Sequence, residues 1–349
     1  MSTGILAFAI ALTTTFGLTF PIRKLALHWG MVDHPSPRKI HRTPIPLMGG
    51  FAMYCGTVLS IVLFVESRAR GQILGIIAAA TLLLVVGTLD DRHLLHHQIK
   101  LFVAMPLAAL TLVALGVKTR VGSALLPGPA GSVLDIALTL LWVVGITAAY
   151  NIFDHMDGLA SGVTAVASLF FTVLAILDGQ VLVATLGAAL LGASLGFLRW
   201  NFNPAKIFMG DGGAMFLGFM MATLGLKLRI PHVPETTSWI IPVLLLIVPI
   251  FDTTLISISR TRRGLIPFAS PGKDHAAHRL ANTGLGQRGA VLALYSVGAV
   301  SGLLALLVRG LPAGFSLVLA LVVALAALAA VMVFERLPYE PQKMSGRTA

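Results

Sequence analysis

Residues 72–91 read QILGIIAAATLLLVVGTLDD: eighteen residues without a charge, closed by two adjacent aspartates. About 20 mostly apolar helical residues cross a hydrocarbon core of about 30 Å, so the run reads as a membrane span stopping at Asp90 and Asp91. Ten further runs of this kind lie at 4–20, 48–65, 99–116, 132–150, 159–177, 181–198, 212–226, 238–258, 290–308 and 313–333. The expected fold is therefore all-α, a polytopic integral membrane helix bundle of about eleven spans, or ten if a short pair merges. The composition agrees: of 349 residues 56% are hydrophobic and 11% charged, against about 25% charged in soluble domains, and the mean hydropathy is +0.89. A soluble domain is excluded. The first run has no basic residues before it and no small-residue cleavage site, so it reads as a retained span and not a signal peptide. Residues 1–335 read as one transmembrane domain and 336–349 as a short tail. Cys55 is the single cysteine, so no intrachain disulfide can form.

Eleven spans place alternate loops on opposite sides. Of the 25 Lys and Arg, 18 fall with loops 21–47, 90–100, 151–158, 199–211, 259–289 and the tail, and seven on the other side. By the positive-inside rule the richer side is cytoplasmic, with the N-terminus outside and the C-terminus inside. The net charge of +11 thus reflects membrane lipid and not nucleic acid. The same side collects Asp33, Asp90, Asp91, Asp154, Asp157, Asp211, Asp252 and Asp274, and every histidine except His232. Insertion requires basic residues there, but it does not require carboxylates and imidazoles, so the asymmetry is a functional signal.

Asp90 and Asp91 repel each other at the membrane boundary unless a cation or proton relieves them, which suggests a metal or general-base site; the plainer reading is a solvated helix end beside Arg92. In AYNIFDHMDGLASG (149–162), Asn151, Asp154 and Asp157 recur every three residues and share a helical face. Asp157 also reads as a cap for the span beginning at Leu159. NPAKIFMGDGG (203–213) sets Asp211 in a glycine turn before a span, where helix N–H groups suit a phosphate bridged to a metal. His275 and His278 share one side of a turn near Lys273 and Arg279, as a site for an anionic substrate requires. Hard oxygen donors dominate, favouring Mg2+, or Mn2+, over zinc. Arg38, Lys39, His41 and Arg42 lie in a Pro-rich loop before Gly49 and Gly50, and read equally as substrate contacts or a positive-inside anchor. Asp252 lies inside the inner end of its span and should face the bundle or a cavity; Lys100 is placed similarly but can snorkel.

In order, DHPSPRKIHRTPIPLMGG, LDDR, NIFDHMDG, NPAKIFMGDGG, PIFDTT and HAAHRL, across roughly residues 30–290, resemble the motifs of the polyprenyl-phosphate N-acetylhexosamine-1-phosphate transferase family. The resemblance implies transfer of a sugar 1-phosphate, most simply GlcNAc-1-phosphate, from a UDP-sugar to polyprenyl (undecaprenyl) phosphate, with UMP released and magnesium required, at the cytoplasmic face of a bacterial inner membrane. It implies that Asp90, paired with Asp91, activates the lipid phosphate, that Asn151 and Asp211 hold the metal, and that Asp157 contacts nucleotide. Asp154, His275 and His278 are implied as catalytic; Lys39, His41, Lys100 and Arg279 as substrate-binding. Ala277, His155 and Ala148 stand where the family has His, Gly and Asn; these departures keep every carboxylate and bear on sugar specificity and pyrophosphate positioning. The alternatives are a phospho-MurNAc-pentapeptide translocase activity and, from another class, a cation-coupled transporter. A homodimer is left open.

Overall fold

The computed structural model describes residues 2–35, 43–65, 69–92, 94–95, 97–267 and 272–339. All eleven apolar runs fall in helix. They are α1 (Ser2–His28), α2 (Gly49–Phe64), α3 (Arg70–Asp91), α4 (Met105–Ala114, entered through a π turn at Lys100–Ala104), α5 (Pro129–Phe153), α6 (Leu159–Leu177), α7 (Val181–Asn201) and α8 (Gly210–Lys227). There follow α9 (Ile240–Leu245), α10 (Ile247–Arg262), the short α11 (Ala276–Leu280), α12 (Gly286–Gly310) and α13 (Ala313–Phe334). Seven of the described helices are individually long and apolar enough to cross a membrane, or up to eight if the pair Glu235–Leu245 and Ile247–Arg262, bent by 80°, is one span. The protein is thus a multi-pass, all-helical membrane bundle. A two-stranded antiparallel ribbon, β1 (Val32–Asp33) with β2 (Ile45–Pro46), is the one departure from helix among the described elements, pairing Val32 with Pro46 and Asp33 with Ile45.

Helix α8 is the axis of the bundle. It is buried along nearly its whole length and packs against α2, α3, α5, α6 and α7. Glycines permit this approach: a Cβ on Gly87 of α3 would run into the backbone of Gly212, and one on Gly212 would lie 2.5 Å from the Leu84 carbonyl oxygen. Without hydrophobic drive between helices in lipid, such small-residue contacts are what let backbones approach closely. At the periphery, α13 buries only Ser316 and Val331 and turns the rest of its apolar surface outward, as a lipid-facing helix does.

The two ends of the bundle differ in chemistry. One gathers Lys118, Gln180, Lys227, Arg229 and Glu235: the Arg229 guanidinium donates to the Lys118 carbonyl at 2.9 Å and pairs with Glu235 at 3.2 Å, and Lys227 reaches Gln72 at 2.5 Å. Asp135, inside an apolar run, is buried there but satisfied by the Gly122 N–H at 2.7 Å and the Ser123 hydroxyl at 2.5 Å. The other end carries Asp90, Asp91, Asp154 and Asp211. There the loop after α1 is stitched to the segment before α8, because Phe208 N–H donates to the Pro46 carbonyl (2.9 Å) and Gly49 and Gly50 N–H donate to Phe208 (2.9 Å) and Met209 (3.0 Å).

Gly87→Ala is expected to lower the melting temperature in detergent, since overpacking a tight contact costs about 1–3 kcal/mol. Gly145→Ala, whose Cβ meets nothing within 4 Å, should leave it unchanged or raised; equal effects would mean that the α3–α8 approach is not set by these glycines.

Candidate active site

The close approach of α3 and α8 brings two distant carboxylate groups together. Lys100, at the start of the π turn before α4, places its ammonium between them, 2.7 Å from Asp90 Oδ2 and 2.5 Å from Asp211 Oδ2. Asp91 turns to the first turn of α8, where Asp211 N–H donates to both its oxygens at 3.0 and 3.1 Å. Gly210 precedes at φ +75°, and a Cβ there would lie 2.5 Å from Asp91 Oδ2, so glycine is what allows the carboxylate onto the helix N-terminus. Three acids and one lysine from three elements thus share a small volume.

Asn151 and Asp154 close α5 on the same side. Burial pushes the Asp154 carboxyl up to about 7, and the charges of Asp211 and then Asp157 push the same way. Asn151 Nδ2 is buried and makes no hydrogen bond; half a turn of the amide would put an oxygen there instead. A buried carboxyl repelled by its neighbours, next to an amide with an orphaned atom, suits a hard divalent cation, which prefers oxygen donors. Oxygen donors of this kind fit magnesium or manganese, and Asn151 and Asp211 are the residues that would hold such an ion.

Asp157 does not cap α6. Its Oδ2 accepts from Asn203 Nδ2 (3.0 Å) and Ala205 N–H (2.9 Å), which fastens the 154–158 loop to the segment before α8. The loop is clamped twice more: Gly158 N–H donates to Asn201 Oδ1 at 3.0 Å, and the Tyr295 hydroxyl of α12 donates to the Gly158 carbonyl at 2.5 Å.

A second cluster sits on α10 and α11. Asp252, fully buried, accepts from Ala276 N–H (2.7 Å) and pairs with His275 Nδ1 (2.7 Å). Asp274 accepts from Arg260 at 2.7 and 3.0 Å and also from Arg263; burial alone would raise it, but these guanidinium bonds outweigh burial and hold it at about 2. The imidazole of His155 stacks 3.9 Å from that of His275 and 4.7 Å from that of His278. Burial and the two neighbouring histidines hold His155 well below the usual histidine range, so it is neutral at pH 7.

The structure therefore gathers Asp90, Asp91, Lys100 and Asp211 by direct contact, couples Asp154 to Asp211 electrostatically, and sets His275 and His278 in a histidine group with His155. Arg279 is buried and directed inward: it donates to the Asp274 carbonyl (2.7 Å), Ser259 (2.8 Å), the Phe334 carbonyl (2.7 Å) and Glu335 (3.0 Å), tying α11 to the end of α13 rather than facing an open site. Lys39 and His41 lie outside the described residues, as does the tail from residue 340. Sequence reasoning missed the part played by Asn203, Arg260 and Tyr295. The asparagines of NFNP were a signal for the first; the other two have none in local pattern.

A sequence model of glycosyl transferase family 4 matches residues 73–229, the stretch holding the paired aspartates, Asn151, Asp154, Asp157 and Asp211. The chain is 35% identical over 310 residues to a probable undecaprenyl-phosphate N-acetylglucosaminyl 1-phosphate transferase of Bacillus subtilis, covering 87% of this chain and 85% of the relative. It is 36% identical to a decaprenyl-phosphate N-acetylglucosaminephosphotransferase of Mycolicibacterium smegmatis, over 80% and 76% of the two chains. To the undecaprenyl-phosphate alpha-N-acetylglucosaminyl 1-phosphate transferase of Escherichia coli K12 it is 31% identical, over 80% and 77%. The chain belongs to glycosyl transferase family 4, among the polyprenyl-phosphate N-acetylhexosamine-1-phosphate transferases. It is a membrane-embedded transferase.

The raised Asp154 has a stability consequence. Between its unfolded value near 3.9 and about 7 the native state holds a proton the unfolded state has lost, so stability falls as pH rises through that window. Without divalent cations, Asp154→Asn should melt higher than wild type above pH 7, the gap closing below about pH 4. A gap that is flat with pH, or reversed, would show that the carboxyl is not strained in the folded protein.

Proposed function

We propose that the protein transfers a HexNAc-1-phosphate, GlcNAc-1-phosphate foremost, from a UDP-sugar to polyprenyl phosphate, undecaprenyl phosphate in a bacterial inner membrane, and releases UMP. The carrying observation is the Lys100 ammonium held between Asp90 and Asp211, with Asp91 on the N–H of Asp211. A diphosphate and a lipid phosphate repel each other, and a site that joins them needs fixed cations beside a carboxylate that keeps the attacking oxygen deprotonated. Asp90 supplies that carboxylate, and Lys100 orients it while meeting phosphate charge. Asp157, fixed by Asn203 and Ala205, sets the loop that faces the nucleotide. In the reaction a lipid-phosphate oxygen bonds to the sugar-bearing phosphorus as the bridging bond to UMP breaks. Asn151 and Asp211 would hold Mg2+, or Mn2+, which when bound neutralises diphosphate charge and stabilises the leaving UMP.

The relatives' names support the acceptor and the transferred group. The positive-inside count supports an active site on the cytoplasmic face, with the N-terminus outside and eleven spans. A lipid acceptor accounts for a site at the end of a bundle with so much outward apolar surface. A cation-coupled transporter would instead place its acids near the midplane of broken helices, and here they gather at one end.

Purified protein given UDP-GlcNAc, undecaprenyl phosphate and Mg2+ is expected to release UMP, and chelation should stop it. Asp90→Asn should lower turnover by about 10²–10⁴-fold, the range for a positioned acid or base, and Asp211→Asn should abolish it by loss of the metal site, both variants inserting normally. Unchanged turnover in either variant refutes its role; a panel of UDP-sugars decides the donor.

A further inference from the structure

His155 lies on the loop between α5 and α6, where both of its ring nitrogens are buried and neither has a hydrogen-bond partner. Buried polar groups are nearly always paired, and an imidazole with two idle nitrogens in a packed site points to a ligand. Its surroundings supply more donors of the same kind. One ligand atom each from His155, Asp252 and His275 lie within 4.8 Å of one another. His155 Nε2 is 3.9 Å from Asp252 Oδ2, the oxygen that pairs with His275 Nδ1 at 2.7 Å.

We propose that His155, Asp252 and His275 form a binding site for a borderline transition dication of the zinc class, separate from the hard-oxygen cluster of Asn151 and Asp211. Two imidazoles and one carboxylate are a donor set zinc uses with a fourth position left to water or another ligand. Imidazole selects zinc-like ions, whereas carboxylate and amide oxygens select magnesium. Bond lengths of about 2.0–2.2 Å at a tetrahedral ion put two ligands about 3.3–3.6 Å apart. The His155–Asp252 pair at 3.9 Å must therefore close by roughly half an ångström, and any pair near the 4.8 Å bound by more than about 1 Å, while the 2.7 Å Asp252–His275 pair must open by a similar step. His155, whose ring nitrogens carry no hydrogen bond, is the group that would move. His275 would bind through Nδ1, its proton passing to Nε2, which then ceases to accept from Arg260 and must turn away from that guanidinium. The contact that Nε2 makes with Arg260 is 3.3 Å, the longest that guanidinium makes, and Asp274 already balances the arginine charge. The ion would pin the 154–158 loop to α10 and α11.

The test uses the full chain in detergent, stripped by chelation and titrated with Co2+ in excess Mg2+, followed by visible absorption, with Zn2+ stoichiometry by calorimetry. Wild type should take up one equivalent with the absorption of imidazole-bound Co2+, and Zn2+ should raise its melting temperature. His155→Gly should weaken binding at least tenfold and abolish the Zn2+ shift, while Asp211→Asn retains both. His155→Gln, which keeps a polar side chain but no imidazole, decides the matter if the glycine variant is not recovered. Uptake unchanged by loss of His155, uptake lost with Asp211→Asn instead, or no stoichiometric uptake by wild type would each overturn the site.

Discussion

The arrangement depends on one ammonium group held between two carboxylates. Asp90 and Asp211 come from helices far apart in sequence, and Asp91 and Asp154 add two further acids nearby. At an effective dielectric of about 20, two like charges 4 Å apart repel by about 4 kcal/mol, so such a group is assembled only with a cation or a proton to relieve it. Lys100 serves Asp90 and Asp211, and the N–H of Asp211 at the start of α8 offsets part of the cost for Asp91. The glycine contact between α3 and α8 makes the distances short enough for one lysine to serve both. Asp154, buried and with the charges of Asp211 and Asp157 against it, is left strained as well.

Around this centre the protein is stiffened by polar ties that do no chemistry. Asp157 is bound to the Asn203–Ala205 turn, Gly158 to Asn201 and Tyr295, and Phe208 to Pro46. The bent α9–α10 pair ends in a similar lock, Arg260 and Arg263 on Asp274, with Arg279 reaching on to Phe334 and Glu335. Each tie satisfies a buried polar group that would otherwise be costly in a low-dielectric bundle.

Much of this was legible in the sequence. Hydropathy located the long apolar helices, and alternation of loops places Asp90, Asp154, Asp211 and Asp274 on one side, because each lies at a span boundary or in a loop of that side. Alternation fixes an end but not a neighbour. That Lys100 bridges Asp90 and Asp211, and that Asp157 turns toward Asn203 instead of capping α6, depend on rotation of helices about their axes, which local periodicity does not set in a helix apolar all round. Arg279 shows the same limit: its charge suggested a substrate contact, whereas tertiary packing gives it carbonyl, hydroxyl and carboxylate partners inside the protein. His155 was visible only as the wrong residue for a glycine position, and its place among His275, His278 and Asp252 needed coordinates.

The central claim is that Asn151, Asp154, Asp211 and the paired aspartates surround one position suited to a hard dication. Anomalous scattering from crystals of the protein grown with Mn2+ tests it most directly. The account requires a single strong peak bonded to oxygen atoms of Asp211 and Asn151, at the end of the bundle that carries Lys100. A peak elsewhere, or no peak between these residues at saturating Mn2+, would contradict it.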